Sequence, residues 1–342
     1  IRHDSEITLA DADAWVRKAG KNPDDYNLTV SSRAYGTGFW SNLIKATPKR
    51  DKGSVDTGAL FASLLKQVDT PTPVARERSL RAGAVQVFVP SDLQVGKEDR
   101  LGGTGSTIAA FNRSLDYATE FAVDRQSSEV VIVDSGDLAE GFSNVSSQRQ
   151  TNDLNLTQQI ELGFRLMHKA IDSFARLGFP VTFVTVPSNH CQVKVGKKQL
   201  ASTPNDDYGI LINKQLELVW GDSVTFVRPE SDFSETSVVN IPSANTKIAV
   251  VHGHQTGSPD RVGDWWKGQD HGRLPGWDAD ILLTGHWHSL RVGHSGDARW
   301  TITAPSLEPS SSWFENIKGE QSKRGALHFT VNNGQWHDLE VA

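Results

Sequence analysis

Short continuous runs of apolar residues, each ending in a polar cluster, constrain the fold of this chain more than any other feature. Five such runs lie at 85–89, 130–133, 181–186, 248–251 and 281–283. Continuous apolar runs are typical of strands buried on both faces of a sheet. Helical patterns separate them, at 104–125, 156–177 and 207–219. This alternation predicts a layered α/β architecture, and short strand patterns near the end of the chain predict mixed sheets.

The first part of the chain lacks this alternation. Apolar spacing predicts helices over 7–19 and 59–68, and the segment 69–81, which contains Pro71 and Pro73, is predicted to be a linker. We therefore expect a small amino-terminal accessory unit and linker over 1–83, followed by one larger domain over 84–342. The small unit is expected to position the substrate or to form a homodimer.

Composition excludes several classes of protein. The chain has 342 residues, of which 37% are hydrophobic and 22% charged, as in globular proteins. No apolar run approaches the roughly 18 residues that a membrane span needs, so no membrane partner is expected. The one cysteine, Cys191, allows neither an internal disulfide nor a four-thiolate zinc site, and we expect a reducing cytoplasm. The net charge of −6 argues against general binding of polyanions.

The polar cluster after each apolar run supplies oxygen or nitrogen donors. In chain order, these donors are Asp92, Asp137, Asn189, His252, His286 and His288. An aspartate after a strand is more commonly a turn former, so the prediction depends on the whole set. Carboxylate, amide and imidazole groups together are suited to hard or borderline divalent ions. Two such ions side by side are suited to the hydrolysis of phosphoesters.

Individual positions indicate roles within such a centre. We expect Asp137, which follows the flexible Gly136, to bridge two ions, with Asp92 on the first ion and Asn189 on the second. His190 directly follows Asn189 and is expected to face the substrate. There it would stabilise phosphoryl oxygens or protonate the leaving oxygen as a general acid.

Other residues are expected near the centre without binding metal. His254 and Glu140 are predicted to support the ligands, although Glu140 could equally cap a helix. Trp265 and Trp266 are candidates for stacking on nucleic-acid bases, with loop packing as the alternative. Arg113 is a candidate phosphate contact, with an exposed, solvated side chain as the alternative.

The order of the clusters resembles that of the calcineurin-like metallophosphoesterase superfamily, whose pattern is D-x-H, G-D, G-N-H, H and G-H-x-H. The resemblance covers 85–313. The blocks Ser91–Lys97, Gly102–Thr104, His252–Gln255 and Trp265–Gln269 resemble, more narrowly, phosphoesterases encoded by bacteriophages of actinobacteria. The resemblance implies a four-layered αββα sandwich and a two-metal centre. It also implies Mn²⁺ as the ion, with Mg²⁺, Fe²⁺ or Zn²⁺ as alternatives, and the host cytoplasm as the location of a phage-encoded protein.

One position departs from the superfamily pattern. Gln94 stands where the first block has a histidine. A glutamine carbonyl can bind a hard ion, but more weakly than an imidazole. We therefore expect the first metal site to bind loosely, to favour Mn²⁺ or Mg²⁺, or to be lost.

These expectations favour a dinuclear metal-dependent phosphoesterase that hydrolyses phosphodiester bonds, acting as a nuclease on DNA or RNA. The choice of nucleic acid depends on the phage resemblance. The alternative is a phosphomonoesterase or a nucleotide or cyclic-nucleotide phosphodiesterase, which the net negative charge favours. A non-catalytic scaffold, suggested by Gln94, is a third hypothesis.

Overall fold

The structure is a computed structural model that describes residues 2–3, 7–34, 40–48, 57–68, 84–143, 151–195, 199–296, 298–309 and 322–342. The chain divides into two compact units, Ile1–Asp56 and Thr57–Ala342. This division precedes the boundary at residue 83 expected from the sequence, and it assigns the helix near residue 60 to the larger unit. The predicted linker over 69–81 lies outside the described residues.

The smaller unit contains one helix and a three-stranded antiparallel sheet. Its elements are β1 (Arg2–His3), α1 (Leu9–Lys18), β2 (Tyr26–Ala34) and β3 (Trp40–Pro48), with strand order β1-β3-β2. Helix α1 begins with a capping box in which Thr8 Oγ1 accepts from the Asp11 amide at 3.4 Å and Asp11 accepts from the Thr8 amide at 2.7 Å. The cap satisfies amide groups that would otherwise lack partners, which explains why the predicted helix begins there.

The larger unit contains the remaining helices and strands. In chain order they are α2 (Thr57–Leu65), β4 (Val85–Val89), α3 (Thr104–Asp124), β5 (Val130–Asp134), α4 (Leu156–Arg176), β6 (Val181–Thr185), β7 (Lys194–Val195), β8 (Gln199–Leu200), α5 (Tyr208–Trp220), β9 (Thr225–Val227), β10 (Ser237–Ile241), β11 (Thr246–Val251), α6 (Val262–Gly272), β12 (Ile281–Thr284), β13 (Arg291–His294), β14 (Trp300–Thr303), β15 (Leu327–Asn332) and β16 (Gln335–Val341). Among the described residues, no helix is long and apolar enough to cross a membrane.

Two large mixed sheets form the centre of this unit. The six-stranded sheet has the order β16-β15-β4-β5-β6-β9, and β4, β5, β6 and β9 run parallel. The five-stranded sheet has the order β10-β11-β12-β14-β13, and β11, β12 and β14 run parallel. Because parallel strands end at the same edge of a sheet, the loops after β4, β5 and β6 are neighbours, as are the loops after β11 and β12.

The buried side chains show four layers. Alternate residues of the two sheets, such as Val87 and Val131 from one and Val250 and Leu283 from the other, share one apolar cluster. The opposite face of the six-stranded sheet packs against α3, α4 and α5 through a second cluster. The opposite face of the five-stranded sheet packs against α6. The predicted αββα architecture is therefore confirmed.

Candidate metal centre

Loops from both sheets bring the predicted donors together. The loops follow β4, β5 and β6 in one sheet and β11 and β12 in the other. The His286 amide donates to Asp92 Oδ2 at 3.1 Å, and the Gly285 amide donates to the His252 carbonyl at 2.9 Å. Residues that are far apart in the sequence thus meet at one edge of the sandwich, as their strand-end positions predicted.

Asp137 lies at the middle of this cluster and is buried. Its Oδ1 accepts from the His190 amide at 2.9 Å, and its own amide donates to Ser188 Oγ at 2.8 Å. Its Oδ2 lies 3.0 Å from His252 Nε2. The protein therefore fixes one carboxylate oxygen by a hydrogen bond and directs the other at an imidazole.

The hydrogen bond that His252 makes through Nδ1 determines the state of its other nitrogen, Nε2, which faces Asp137 Oδ2. His252 Nδ1 donates to the Ser135 carbonyl at 2.8 Å, so a neutral ring carries its lone pair on Nε2. That lone pair faces the Asp137 carboxylate, and two acceptors at 3.0 Å need a positive charge between them, either a proton or a metal ion. A histidine whose second nitrogen donates to a carbonyl is the usual arrangement of a metal ligand.

Asp137 Oδ2, Asn189 Oδ1 and His252 Nε2 are among the buried acceptor atoms that have no hydrogen-bond partner. The donor atoms of Asp137, His252 and His286 all lie within 4.8 Å of one another. Leaving buried acceptors without partners costs free energy unless a cation binds them. Asp137, His252 and His286 therefore fit a divalent ion. Asn189 stands between Ser188 and His190, which are both hydrogen-bonded to Asp137, and we refer to these four residues, Asp137, Asn189, His252 and His286, as the Asp137 site.

The pKa shifts of the imidazoles agree with this assignment. Burial lowers the pKa of His252, but the Asp137 carboxylate outweighs burial and raises the pKa to about 9. Without a metal, a proton therefore supplies the positive charge beside Asp137. Burial, and then the charge on His252, lower the pKa of His286 to about 2. His286 is consequently a neutral imidazole, the form that binds metals.

Asp92 and His288 form the other side of the cluster. His288 Nε2 lies 3.3 Å from Asp92 Oδ1, and its Nδ1 donates to Glu308 Oε1 at 3.0 Å. Burial lowers the pKa of His288, but Asp92 and then Glu308 raise it to about 10. Glu308 was not identified from the sequence, although it follows a strand end, that of β14, as the predicted donors do.

The Gln94 side chain is bonded to a lysine. Gln94 Oε1 accepts from Lys97 Nζ at 2.7 Å, and Lys97 also pairs with Glu308 Oε2 at 3.0 Å. The residue predicted as a weak ligand thus has an ammonium group on its only acceptor atom. We refer to Asp92, Gln94, His288, Glu308 and Lys97 as the Asp92 group.

His190 and Glu140 lie together beside Asp137. His190 Nδ1 donates to the Glu140 carbonyl at 3.0 Å and lies 3.1 Å from Glu140 Oε2. Its Nε2 faces Asp137 Oδ2 at 3.9 Å. Burial lowers the pKa of His190, but Asp137 and Glu140 outweigh it, so the pKa is raised. His190 is therefore oriented by Glu140 and favoured in its protonated form.

His254 lies next to the Asp137 site. Its ring centroid is 5.5 Å from that of His252, and its Nε2 is 3.7 Å from Glu235 Oε1. Burial, and then the charge on His252, lower its pKa to about 4. His254 is therefore a neutral imidazole beside His252, and its predicted role in supporting the ligands stays a prediction.

The predicted substrate contacts differ in their exposure. Trp266 is 2% exposed, and its Nε1 donates to the Gly276 carbonyl at 3.0 Å. The expectation that Trp266 stacks on a base is therefore wrong, because its ring packs between α6 and the sheet. Trp265 is partly buried against the same cluster. Arg113 is exposed on α3, and its positive charge repels that of Arg324.

Backbone strain is concentrated in the candidate centre. Ten described residues other than glycine have positive φ, and five of them are predicted donors: Asp92 (49°), Gln94 (42°), Asp137 (54°), His286 (66°) and His288 (51°). This left-handed conformation is unfavourable for most side chains and persists where the surrounding structure enforces it. The fold therefore maintains a strained arrangement at the place where the donors meet.

Comparisons with known proteins find similar solved structures, but with low sequence identity and low TM-scores. No protein-family model and no curated protein matches the chain. A predicted phosphoesterase from Streptococcus pneumoniae is 12% identical with a TM-score of 0.29, and the match covers 72% of this chain and 83% of the Streptococcus chain. A dimetal phosphatase from Danio rerio is 8% identical with a TM-score of 0.35, covering 73% and 93%. A phosphatase from Mycoplasma pneumoniae is 10% identical with a TM-score of 0.31, covering 76% and 93%. Because these TM-scores are below 0.5, the function must be argued from the side chains of this chain.

Proposed function

We propose that this protein is a metal-dependent phosphoesterase that hydrolyses phosphodiester bonds in nucleic acid, with Mn²⁺ as the preferred ion. The observation that carries the proposal is the convergence of Asp137, His252 and His286 within 4.8 Å, with Asp137 Oδ2 and His252 Nε2 buried and without hydrogen-bond partners. A site that needs a cation and has beside it the His190 imidazole, whose pKa is raised, is suited to an anionic ester.

The chemistry supplied by bound divalent cations is neutralisation of phosphate charge and a lowered pKa of water. The protein contributes the positions of its own groups. Ser135 and Ser188 fix His252 and Asp137, as described above. His190, held by Glu140, can protonate the leaving oxygen or stabilise the phosphoryl oxygens. Asp137 and Glu140 raise the pKa of His190 against the effect of burial, which favours the protonated form that can donate a proton.

The test is a hydrolysis assay on single- and double-stranded oligonucleotides, cyclic nucleotides and nitrophenyl mono- and diesters, with Mn²⁺, Mg²⁺ or chelator. We expect oligonucleotide cleavage that requires the metal. Asp137→Ala should abolish both activity and tight metal binding. His190→Ala should lower kcat by about 10²- to 10⁴-fold and leave metal binding intact, as for loss of a general acid.

Two other outcomes would support different functions. Cleavage of a chromogenic monoester or a cyclic nucleotide, but not of oligonucleotides, would favour a small substrate, which agrees with the net charge of −6. Absence of hydrolysis with every substrate, together with indifference to His190→Ala, would favour a non-catalytic scaffold.

A further inference from the structure

The two sides of the cluster differ in how their acceptor atoms are satisfied. In the Asp137 site, three buried acceptors lack hydrogen-bond partners. In the Asp92 group, Asp92 accepts from Ser91 Oγ and from the His286 amide, and Gln94 accepts from Lys97. What distinguishes the Asp92 group is that it already contains a cationic group, the Lys97 ammonium, beside its amide oxygen and the Glu308 carboxylate.

Lys97 is the origin of this difference. Its ammonium group lies 2.7 Å from Gln94 Oε1 and 3.0 Å from Glu308 Oε2. The Lys97 side chain is 14% exposed and that of Glu308 only 1%. Glu308 in turn holds His288, which faces Asp92. The ammonium is therefore built into the Asp92 group by partners that leave it little freedom to move away.

We propose that the Lys97 ammonium takes the place of the second divalent cation, so that each chain holds one tightly bound metal ion, in the Asp137 site. This proposal rests on the proposed function and refines it. A fixed positive charge on Gln94 opposes a divalent ion at the same oxygen, and an amide ligand is too weak to displace it. The same ammonium supplies a positive charge and hydrogen-bond donors beside the metal, where a substrate phosphate would lie.

Binding of Mn²⁺ to the full-length protein tests the proposal independently of catalysis. Free Mn²⁺ is measured by electron paramagnetic resonance during a titration of metal-free protein. We expect one tight Mn²⁺ per wild-type chain and a second at least about tenfold weaker. Lys97→Met keeps the length of the side chain and removes its charge, so it should strengthen the second binding event by about tenfold or more.

Lys169→Met is the matched control, because Lys169 also donates to a side-chain amide oxygen, that of Asn112 at 2.9 Å, on the α3–α4 surface. It should leave both binding events unchanged. If Lys97→Met does not fold, Lys97→Met/Glu308→Gln removes the pair of charges together and should show the same gain. Gln94→His should tighten the second site only when it is combined with Lys97→Met.

Two equally tight Mn²⁺ ions in the wild type, or no gain in any folded variant that lacks Lys97, would overturn the proposal and leave the phosphoesterase function standing. One tight Mn²⁺ that Lys97→Met increases to two, without hydrolysis of any ester, would support the proposal and contradict the proposed function. No Mn²⁺ binding in the wild type would overturn both.

Discussion

The chemistry of this protein is set by which nitrogen of each histidine is directed into the centre. His252 donates a hydrogen bond from Nδ1 to a carbonyl, and His288 donates one from Nδ1 to Glu308. Each ring therefore directs Nε2 towards a carboxylate. The sequence predicted the identities of these residues from their strand-end positions. It could not predict Glu308 or Lys97 as their partners, because long-range pairing leaves no local pattern.

Metal binding should depend on pH through His252. The pKa of this imidazole is about 9, so in metal-free protein it is protonated at lower pH and a metal must displace that proton. We expect the apparent affinity for Mn²⁺ to rise with pH from 6 towards 9, by up to about tenfold per pH unit. Calorimetric titrations in buffers with different ionisation enthalpies should show proton release at pH 7. An affinity that is independent of pH over this range would contradict the assignment of His252.

At the scale of elements, the turns after the strands decide whether the donors meet. Gly136 has a φ of +103°, and a Cβ at this position would lie 2.6 Å from His252 Nδ1. The apolar strands and their ends were predictable because burial on both faces requires continuous apolar residues. Helix α6 was not predicted. It contains Gly263 and Gly268, which disfavour helix, and it has no side-chain N-cap.

Gly136→Ala should weaken Mn²⁺ binding by about tenfold or more, because the new methyl group must displace His252 or its loop. The measurement is the same Mn²⁺ titration, with circular dichroism to confirm that the variant is folded. Gly257→Ala is the control, since Gly257 also has a positive φ of +72° but nothing lies within 4 Å of its added Cβ. Equal affinities in the two variants would show that crowding around His252 does not matter.

For the larger unit as a whole, two sheets packed face to face provide both the stability and the edge at which the site forms. The strand and helix pattern predicted the layers. The order of the strands and the way the two sheets meet were not predictable from local patterns, because they depend on pairings between distant segments. Strand β10 was missed for a related reason: it is a short edge strand whose burial alternates, unlike the continuous apolar runs.

His328 in β15 should make the stability of this unit sensitive to acid. Its ring stacks on Phe88 at 5.1 Å, neither ring nitrogen has a hydrogen-bond partner, and burial lowers its pKa to about 3. The unfolded chain takes up a proton near pH 6.5, whereas the folded protein does not, so stability is lost as the pH falls from about 6.5 towards 3.

We expect His328→Phe to reduce the difference in the free energy of unfolding between pH 8 and pH 5 by about 2 kcal/mol. Urea unfolding of metal-free protein at both pH values measures this difference. His337→Gln, at an exposed position of β16, should leave it unchanged. If His328→Phe retains the full pH dependence, the acid sensitivity arises elsewhere.

Anomalous X-ray scattering at the manganese edge, from crystals grown with Mn²⁺, tests the central claim most directly. The claim is that Asp137, Asn189, His252 and His286 hold a divalent cation. It predicts a strong anomalous peak within coordination distance of Asp137 Oδ2, Asn189 Oδ1 and His252 Nε2. Crystals that show no peak there, or a peak bound by other residues, would contradict it.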